Sequence, residues 1–310
     1  MAEPDRLNRR NVLKAGGLLV GAGGLKRVAT AAAGPKTATS GGGGLPDGWR
    51  ALRKFDAHNH VFDSVQEPDA DWSLVEALVE AARAMGIEKL CCSKPITGGK
   101  MAGIDDVRYA NDSVLAAMRR YPDLIAGYCF IQPGNGPQAL DEIERCLDAG
   151  MIGVKLYNQF KYSDPAVFPV AERCVERRIP LLGHSGHLTD ARSLAAQPEI
   201  SDSLVFCDLS RRYPELMLIL GHVNGGGDWE WAIKGLRDCP NVFVDTSGSV
   251  LEDDAIGMCV RELGHERVLF ATDLTIEGGV GKILSADLSP DQREAIFWRN
   301  LQGILDRRTS

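Results

Sequence analysis

From residue 54 onward the chain repeats one pattern: a short apolar run, a polar loop, then apolar residues at helical spacing. The apolar runs predict strands at residues 54–60, 87–93, 124–131, 153–156, 180–183, 216–220, 241–245 and 267–273. Between them, spacing such as Leu74, Leu78, Ala81, Ala82 and Met85 predicts helices at 74–85, 107–120, 139–149, 166–178, 229–237, 254–263 and 290–305. One more helix belongs inside the longer excursion 188–213, and Ser289 reads as the N-cap of the last. Eight strands with helical crossovers over about 260 residues match a (β/α)8, or TIM, barrel in number and length. A doubly wound open sheet is the competing architecture. It wants a glycine-rich phosphate loop after its first strand, and Asp56-Ala57-His58-Asn59-His60 is nothing like one.

The start of the chain departs from this pattern. Arg9-Arg10-Asn11-Val12-Leu13-Lys14 precedes a mildly apolar, glycine-rich run over 15–25, and small residues through Ala33 then offer a cleavage site. The segment resembles a twin-arginine export signal, departing from the usual pattern at Asn8 and Val12. The run is too short and too rich in glycine to span a bilayer, which takes about 20 apolar residues. The expected organisation is a leader over 1–33, a flexible linker over 34–48 and one barrel domain over 49–310. The resemblance implies export by the twin-arginine machinery to the periplasm, the cell envelope or the outside.

Composition narrows the class of partner. The 310 residues are 44% hydrophobic and 25% charged, enough apolar material for a large core. Net charge is −7, and the first 33 residues hold six basic and two acidic side chains, leaving 29 basic and 40 acidic residues in the remainder. An acidic body argues against nucleic acid and against anionic membrane. A small-molecule substrate is expected, and a homo-oligomer is compatible with the same composition. Eight cysteines are scattered through apolar stretches with no C-x-x-C pair, so buried reduced thiols are expected; twin-arginine cargo folds in the reducing cytoplasm before export.

Candidate chemistry gathers at the strand ends. His58 and His60 are two apart at the end of the first strand, where alternation puts both side chains on one face and lets both imidazoles reach one metal ion. The ends of strands four, five, six and eight add Lys155, His184, His222 and Asp273. In a barrel of this kind the catalytic groups come from the carboxyl ends of several strands. Five of the six histidines lie at strand ends or, like His187, just beyond one; His265, in the loop before strand eight, is the exception. Gly225-Gly226-Gly227 lacks the Lys-Ser/Thr of a phosphate loop and reads as a rim loop, while Trp229 and Trp231 read equally as pocket wall or as packing.

These motifs, in this order, resemble the amidohydrolase superfamily, in particular its amidohydrolase-related branch of metal-dependent hydrolases and aromatic-acid decarboxylases. Phe55-Asp56-Ala57-His58-Asn59-His60 is similar to its "DxHxH" opening, and Gly153-Val154-Lys155-Leu156 to its "GxKL". Residues 180–186 follow "PxxxHxG", 218–225 "ILxHxxG" and 242–248 "VxxDTSG", while 267–273 follow "RxLFGSD" with Ala271-Thr272 in place of Gly-Ser. The resemblance implies one divalent ion, zinc before manganese, held by His58, His60, His184 and Asp273. It implies catalytic roles for Asp273, as the group that takes a proton from activated water, and for His222, as acid/base or polarising group. Lys155 is expected to bind a substrate carboxylate or to pair with an acid, with carboxylation to bridge a second metal as a further option. His187 is expected at the substrate or in solvent, and Asp56 as the orienting partner of a ligand histidine. The implied activity is hydrolysis of an amide, lactone or ester. Non-oxidative decarboxylation of an aromatic or enoic acid is the alternative, and a non-catalytic exported metal- or ligand-binding protein the third reading.

Overall fold

The computed structural model describes residues 48–65, 70–223, 225, 227–252 and 254–308. The predicted leader and all but the last residue of the predicted linker lie outside these residues, as do Asn224 and Gly226 of the strand-six motif. Eight parallel strands follow one another around a barrel in chain order: β1 (Phe55–His60), β2 (Lys89–Ser93), β3 (Ile125–Phe130), β4 (Gly153–Leu156), β5 (Leu181–His184), β6 (Leu218–Gly221), β7 (Val242–Asp245) and β8 (Val268–Leu269). Two backbone bonds close the ring, from Ala57 N to Phe270 O at 2.9 Å and from Asp273 N to His58 O at 2.9 Å. The predicted TIM barrel is therefore the observed fold.

The crossovers are α1 (Ser73–Ala84), α2 (Ile104–Arg120), α3 (Pro137–Asp148), α4 (Phe168–Glu176), α5 (Ala191–Ala196), α6 (Ser203–Arg212), α7 (Trp229–Gly235), α8 (Ala255–Leu263) and α9 (Ile276–Ser285). A closing helical stretch runs through α10 (Pro290–Glu294), a π-turn (Ala295–Arg299) and α11 (Asn300–Asp306). The excursion after β5 holds two helices rather than one, because Asp190 and Asp202 each accept backbone N–H groups and start a helix of their own. α9 was not predicted: Ile276-Glu277-Gly278-Gly279-Val280-Gly281 has the glycine content of a loop. Burial of Ile276, Val280, Ile283 and Leu284 overrides that propensity, and a Cβ at Gly279 would stand 2.6 Å from Thr272 Cγ2, so glycine is what lets α9 approach the end of β8. Among the described residues, no helix is long and apolar enough to cross a membrane.

Two apolar layers hold the barrel. The larger fills the space between strands and helices; the smaller lies inside the strands, where Phe55, Ala57, Cys91, Tyr128, Leu182 and Ile219 meet Leu301 and Ile304 of α11. Ser289 and Gln292 form the reciprocal cap that opens the closing stretch, as expected of Ser289. The π-turn frees a carbonyl, and Ile296 O accepts Phe270 N at 3.0 Å, fastening the closing stretch to the chain just past β8.

β1 carries the irregularity that makes the site. Asp56 pairs with Leu90 while Asn59 pairs with Cys92, so three residues of β1 advance against two of β2. Phe55 and Ala57 belong to the inner apolar layer, yet His58 and His60 also face inward, which strict alternation would forbid. The extra residue shifts the phase.

The expectation of eight reduced cysteines is corrected. Cys207 of α6 and Cys239, after α7, form a disulfide with their Cα atoms 5.6 Å apart, while the other six cysteines are free and buried. The partners are 32 residues apart in sequence, and only the packing of α6 beside α7 brings them together.

Candidate metal centre

β1 delivers two imidazoles whose outer nitrogens are already committed. His58 Nδ1 lies 2.7 Å from Asp245 Oδ2, and His60 Nδ1 lies 3.1 Å from Ser93 Oγ. A carboxylate at Nδ1 fixes the proton of His58 there and turns the Nε2 lone pair inward. Asp273, just beyond β8, approaches His60 Nε2 through Oδ1 at 3.0 Å. Ligand atoms of His58, His60 and Asp273 all lie within 4.8 Å of one another. Neutral imidazole and ionised carboxylate are the donors a divalent ion takes, so these residues fit one.

The ionisation states agree with that fit. Burial lowers the His58 pKa to about 4, with the neighbouring Lys155 charge adding to the effect, so the ring is neutral near pH 7. Burial works against the Asp273 carboxylate, but the hydrogen bond from His60 and the charges of the surrounding imidazoles hold its pKa well below the ordinary value. The same balance lowers Asp245, where burial is outweighed by its charge interaction and hydrogen bond with His58. Asp273 and His222 both adopt left-handed backbone, φ 45° and 67°. For non-glycine residues this costs on the order of 1–3 kcal/mol each, and backbone hydrogen bonds hold both: Asp273 N to His58 O, and His222 N to Asp245 Oδ1 at 3.0 Å.

His184 and His222 form a second tier. His222 Nε2 is 3.0 Å from His184 Nδ1, and His222 Nδ1 is 2.9 Å from Ser247 Oγ and 3.6 Å from Asp273 Oδ2. Burial lowers the His222 pKa to about 3. His184 Nε2 meets Gln197 Oε1 at 3.2 Å, so His184 joins the cluster through His222, outside the close set of His58, His60 and Asp273. Lys155 is fully buried beside the histidines, with burial lowering its pKa to about 8, and its Nζ lies 2.7 Å from His58 Nε2, so it takes the lone pair that an ion would use and must withdraw for His58 to ligate. His187 stands at the rim: Nδ1 is 3.3 Å from Asp202 Oδ2, and its ring lies 5.2 Å from that of Trp231. Trp231 is thus a rim residue, whereas Trp229 packs on the outer core.

Three residues of this arrangement lacked a role in the sequence reading. Asp245 was visible at a strand end within Asp245-Thr246-Ser247-Gly248, but nothing local shows that its carboxylate reaches across the barrel to His58. Ser247 and Gln197 sit in loops whose course the sequence does not give. Asp56 was expected to orient a ligand ring. It accepts His58 N at 3.1 Å, Thr272 N at 3.1 Å and Thr272 Oγ1 at 2.6 Å, and so orients the β1 backbone and its junction with the segment after β8.

Solved structures with this fold include 2,6-dihydroxybenzoate decarboxylase from Rhizobium, with TM-score 0.65, 17% identity and 82% of this chain covering 98% of that one. The dihydroxybenzoic acid decarboxylase from Polaromonas sp. JS666, which holds manganese and the inhibitor 2-nitroresorcinol, aligns with TM-score 0.61 and 20% identity over 82% of this chain and 96% of that one. 4-Oxalomesaconate hydratase from Rhodopseudomonas palustris aligns with TM-score 0.64 and 19% identity over 82% and 96%. The amidohydrolase family model matches residues 101–300, from the segment after β2 to the start of α11, so the β1 histidines lie outside the matched span and add to it independently. With the match spanning more than half of its length, the chain belongs to the amidohydrolase family of metal-dependent enzymes.

Proposed function

We propose that this enzyme hydrolyses an amide, lactone or ester bond of a small organic substrate. The observation that carries the reading is the pairing of ionised Asp273 with neutral His222, Oδ2 to Nδ1 at 3.6 Å, at the edge of the metal-ligand set. When bound, a divalent ion supplies Lewis acidity that polarises a carbonyl oxygen and acidifies a nearby water. Asp273 accepts the proton of the attacking water, and His222, neutral at pH 7 and backed by Ser247, passes it to the leaving group. Lys155 holds positive charge beneath His58 and favours a substrate that carries a carboxylate. His184, whose Nδ1 lies 3.0 Å from His222 Nε2, would be the fourth residue to hold the ion if that nitrogen were freed from His222.

Zinc suits a set dominated by imidazole, with manganese the alternative, as in the similar Polaromonas decarboxylase. Elemental analysis of protein purified without chelator is expected to find about one equivalent of divalent ion. Less than about a tenth of an equivalent in folded protein overturns the reading.

Non-oxidative decarboxylation of an aromatic acid is the second reading, favoured by a flat wall: the Tyr157 ring stacks on His184 at 4.2 Å, and Phe62 lies 5.2 Å from His60. The similar Rhizobium and Polaromonas structures are dihydroxybenzoate decarboxylases. A panel of lactones, amides and hydroxylated benzoates separates the two. Turnover of the first groups without gas supports hydrolysis, and carbon dioxide release from the benzoates replaces it with decarboxylation.

We also propose that the protein is exported. The paired arginines of the leader support this, and the Cys207–Cys239 disulfide is of a kind that persists in oxidising compartments.

A further inference from the structure

The side of the barrel where the strands begin, away from the histidines, carries a cavity of about 280 Å³ lined by Leu147, Glu176, Arg177, Arg178, Ile179 and Arg308. None of these residues belongs to the metal centre. Three guanidiniums and one carboxylate face this space, in a chain whose net charge is −7.

The carboxylates nearby are already taken. Arg173 draws Glu144 at 2.7 Å and Glu176 at 3.0 Å, leaving Arg177 a longer contact of 3.5 Å to the other oxygen of Glu144. Among the described residues, neither Arg178 nor Arg308 has a carboxylate within ion-pair distance. Arg308 Nη2 reaches only Leu147 O, at 3.5 Å, and burial together with the charge of Arg177 lowers its pKa. Arg178, the second residue past α4, adopts φ 52°. The carbonyl ends of α3 and α4 offset part of this positive charge, since helix C-termini favour cations, but the bond from Arg308 Nη2 to Leu147 O is long, at 3.5 Å.

We propose that this cavity binds a small multivalent oxyanion of the phosphate class. A planar guanidinium offers paired N–H donors matched to tetrahedral oxyanions, and a multivalent anion between Arg177, Arg178 and Arg308 converts their mutual repulsion into attraction. Because two of the three arginines are exposed, the attraction is screened, and affinity falls as salt rises.

Inorganic phosphate is the probe, titrated calorimetrically into full-length protein against sodium chloride at equal ionic strength. Melting curves in the same buffers give the second readout. Wild type is expected to bind phosphate and to melt higher in phosphate than in chloride. R178Q/R308Q is expected to bind roughly tenfold or more weakly and to lose the phosphate-specific melting shift, while R178K/R308K keeps part of both because it keeps the charge. The chloride melting curve reports whether each variant is folded. Absence of phosphate binding by folded wild type, or equal binding by wild type and folded R178Q/R308Q, overturns the site.

Discussion

Asp245 shows how one buried side chain organises the chemistry at the residue scale. Its Oδ2 holds His58, and its Oδ1 accepts the backbone of both His222 and Ser247, so a single carboxylate spans β1, β6 and β7. Asp245→Asn is expected to weaken metal affinity by roughly 10- to 100-fold with the fold intact, because an amide no longer fixes the ring proton of His58. Competition titration against a chelator measures this; unchanged affinity removes Asp245 from its orienting role. His222→Asn is expected to keep the ion and to lower the rate by roughly a hundredfold or more. Parallel loss of metal and rate makes His222 a ligand instead, and a loss under about tenfold makes it a bystander at the barrel mouth.

Elements meet at places where volume or charge leaves little choice. A Cβ at Gly221, the last residue of β6, would lie 2.8 Å from Gly183 O and 3.2 Å from His58 Cε1. Gly221→Ala is therefore expected to cost about 1–3 kcal/mol and to displace His58, so that metal affinity falls together with the melting temperature. Behind β3, Glu142 is fully buried and accepts both Arg145 Nε and Nη2 at 2.8 Å and Asn111 Nδ2 at 2.8 Å; Asn111 also brackets the Phe130 backbone. Cys129 and Cys146 come near the same carboxylate, but Arg145 already neutralises it, which makes the cluster a tie between α2, α3 and β3 rather than a metal site. Arg145→Met is expected to cost about 2–4 kcal/mol in denaturant unfolding, toward the lower part of the range for buried pairs because Arg145 is half-exposed. A loss below about 0.5 kcal/mol assigns the pair no more weight than a surface one.

At the scale of the whole molecule, the Cys207–Cys239 disulfide bears on the export proposal. The Cys207–Cys239 bridge encloses β6 with His222, and a loop of this length is worth about 3–4 kcal/mol in the chain-entropy account. Protein recovered from an oxidising compartment is expected to show six reactive thiols when denatured without reductant and eight after reduction. Changing Arg9-Arg10 to Lys-Lys is expected to retain full-length folded protein in the cytoplasm. Wild-type amounts of that variant outside the inner membrane overturn the export proposal.

The chain's periodicity by itself determined the barrel, because eight alternations of a short apolar run and an amphipathic helix admit few other ways to bury both faces of a parallel sheet. His58, His60, His184, His222 and Asp273 were likewise legible as strand-end residues, since their distance along each strand fixes the rim they reach. Three-dimensional packing alone decided which of them meet. The phase shift in β1 that turns both His58 and His60 inward depends on pairing with β2, and the reach of Asp245 to His58 spans 187 residues. The helix of Ile276–Ser285 exists against its glycine content because its apolar face is buried, and Cys207 finds Cys239 because α6 packs on α7. Local sequence encodes period and direction; contacts between distant segments are set only when the sheet closes and each side chain meets the neighbours that closure supplies.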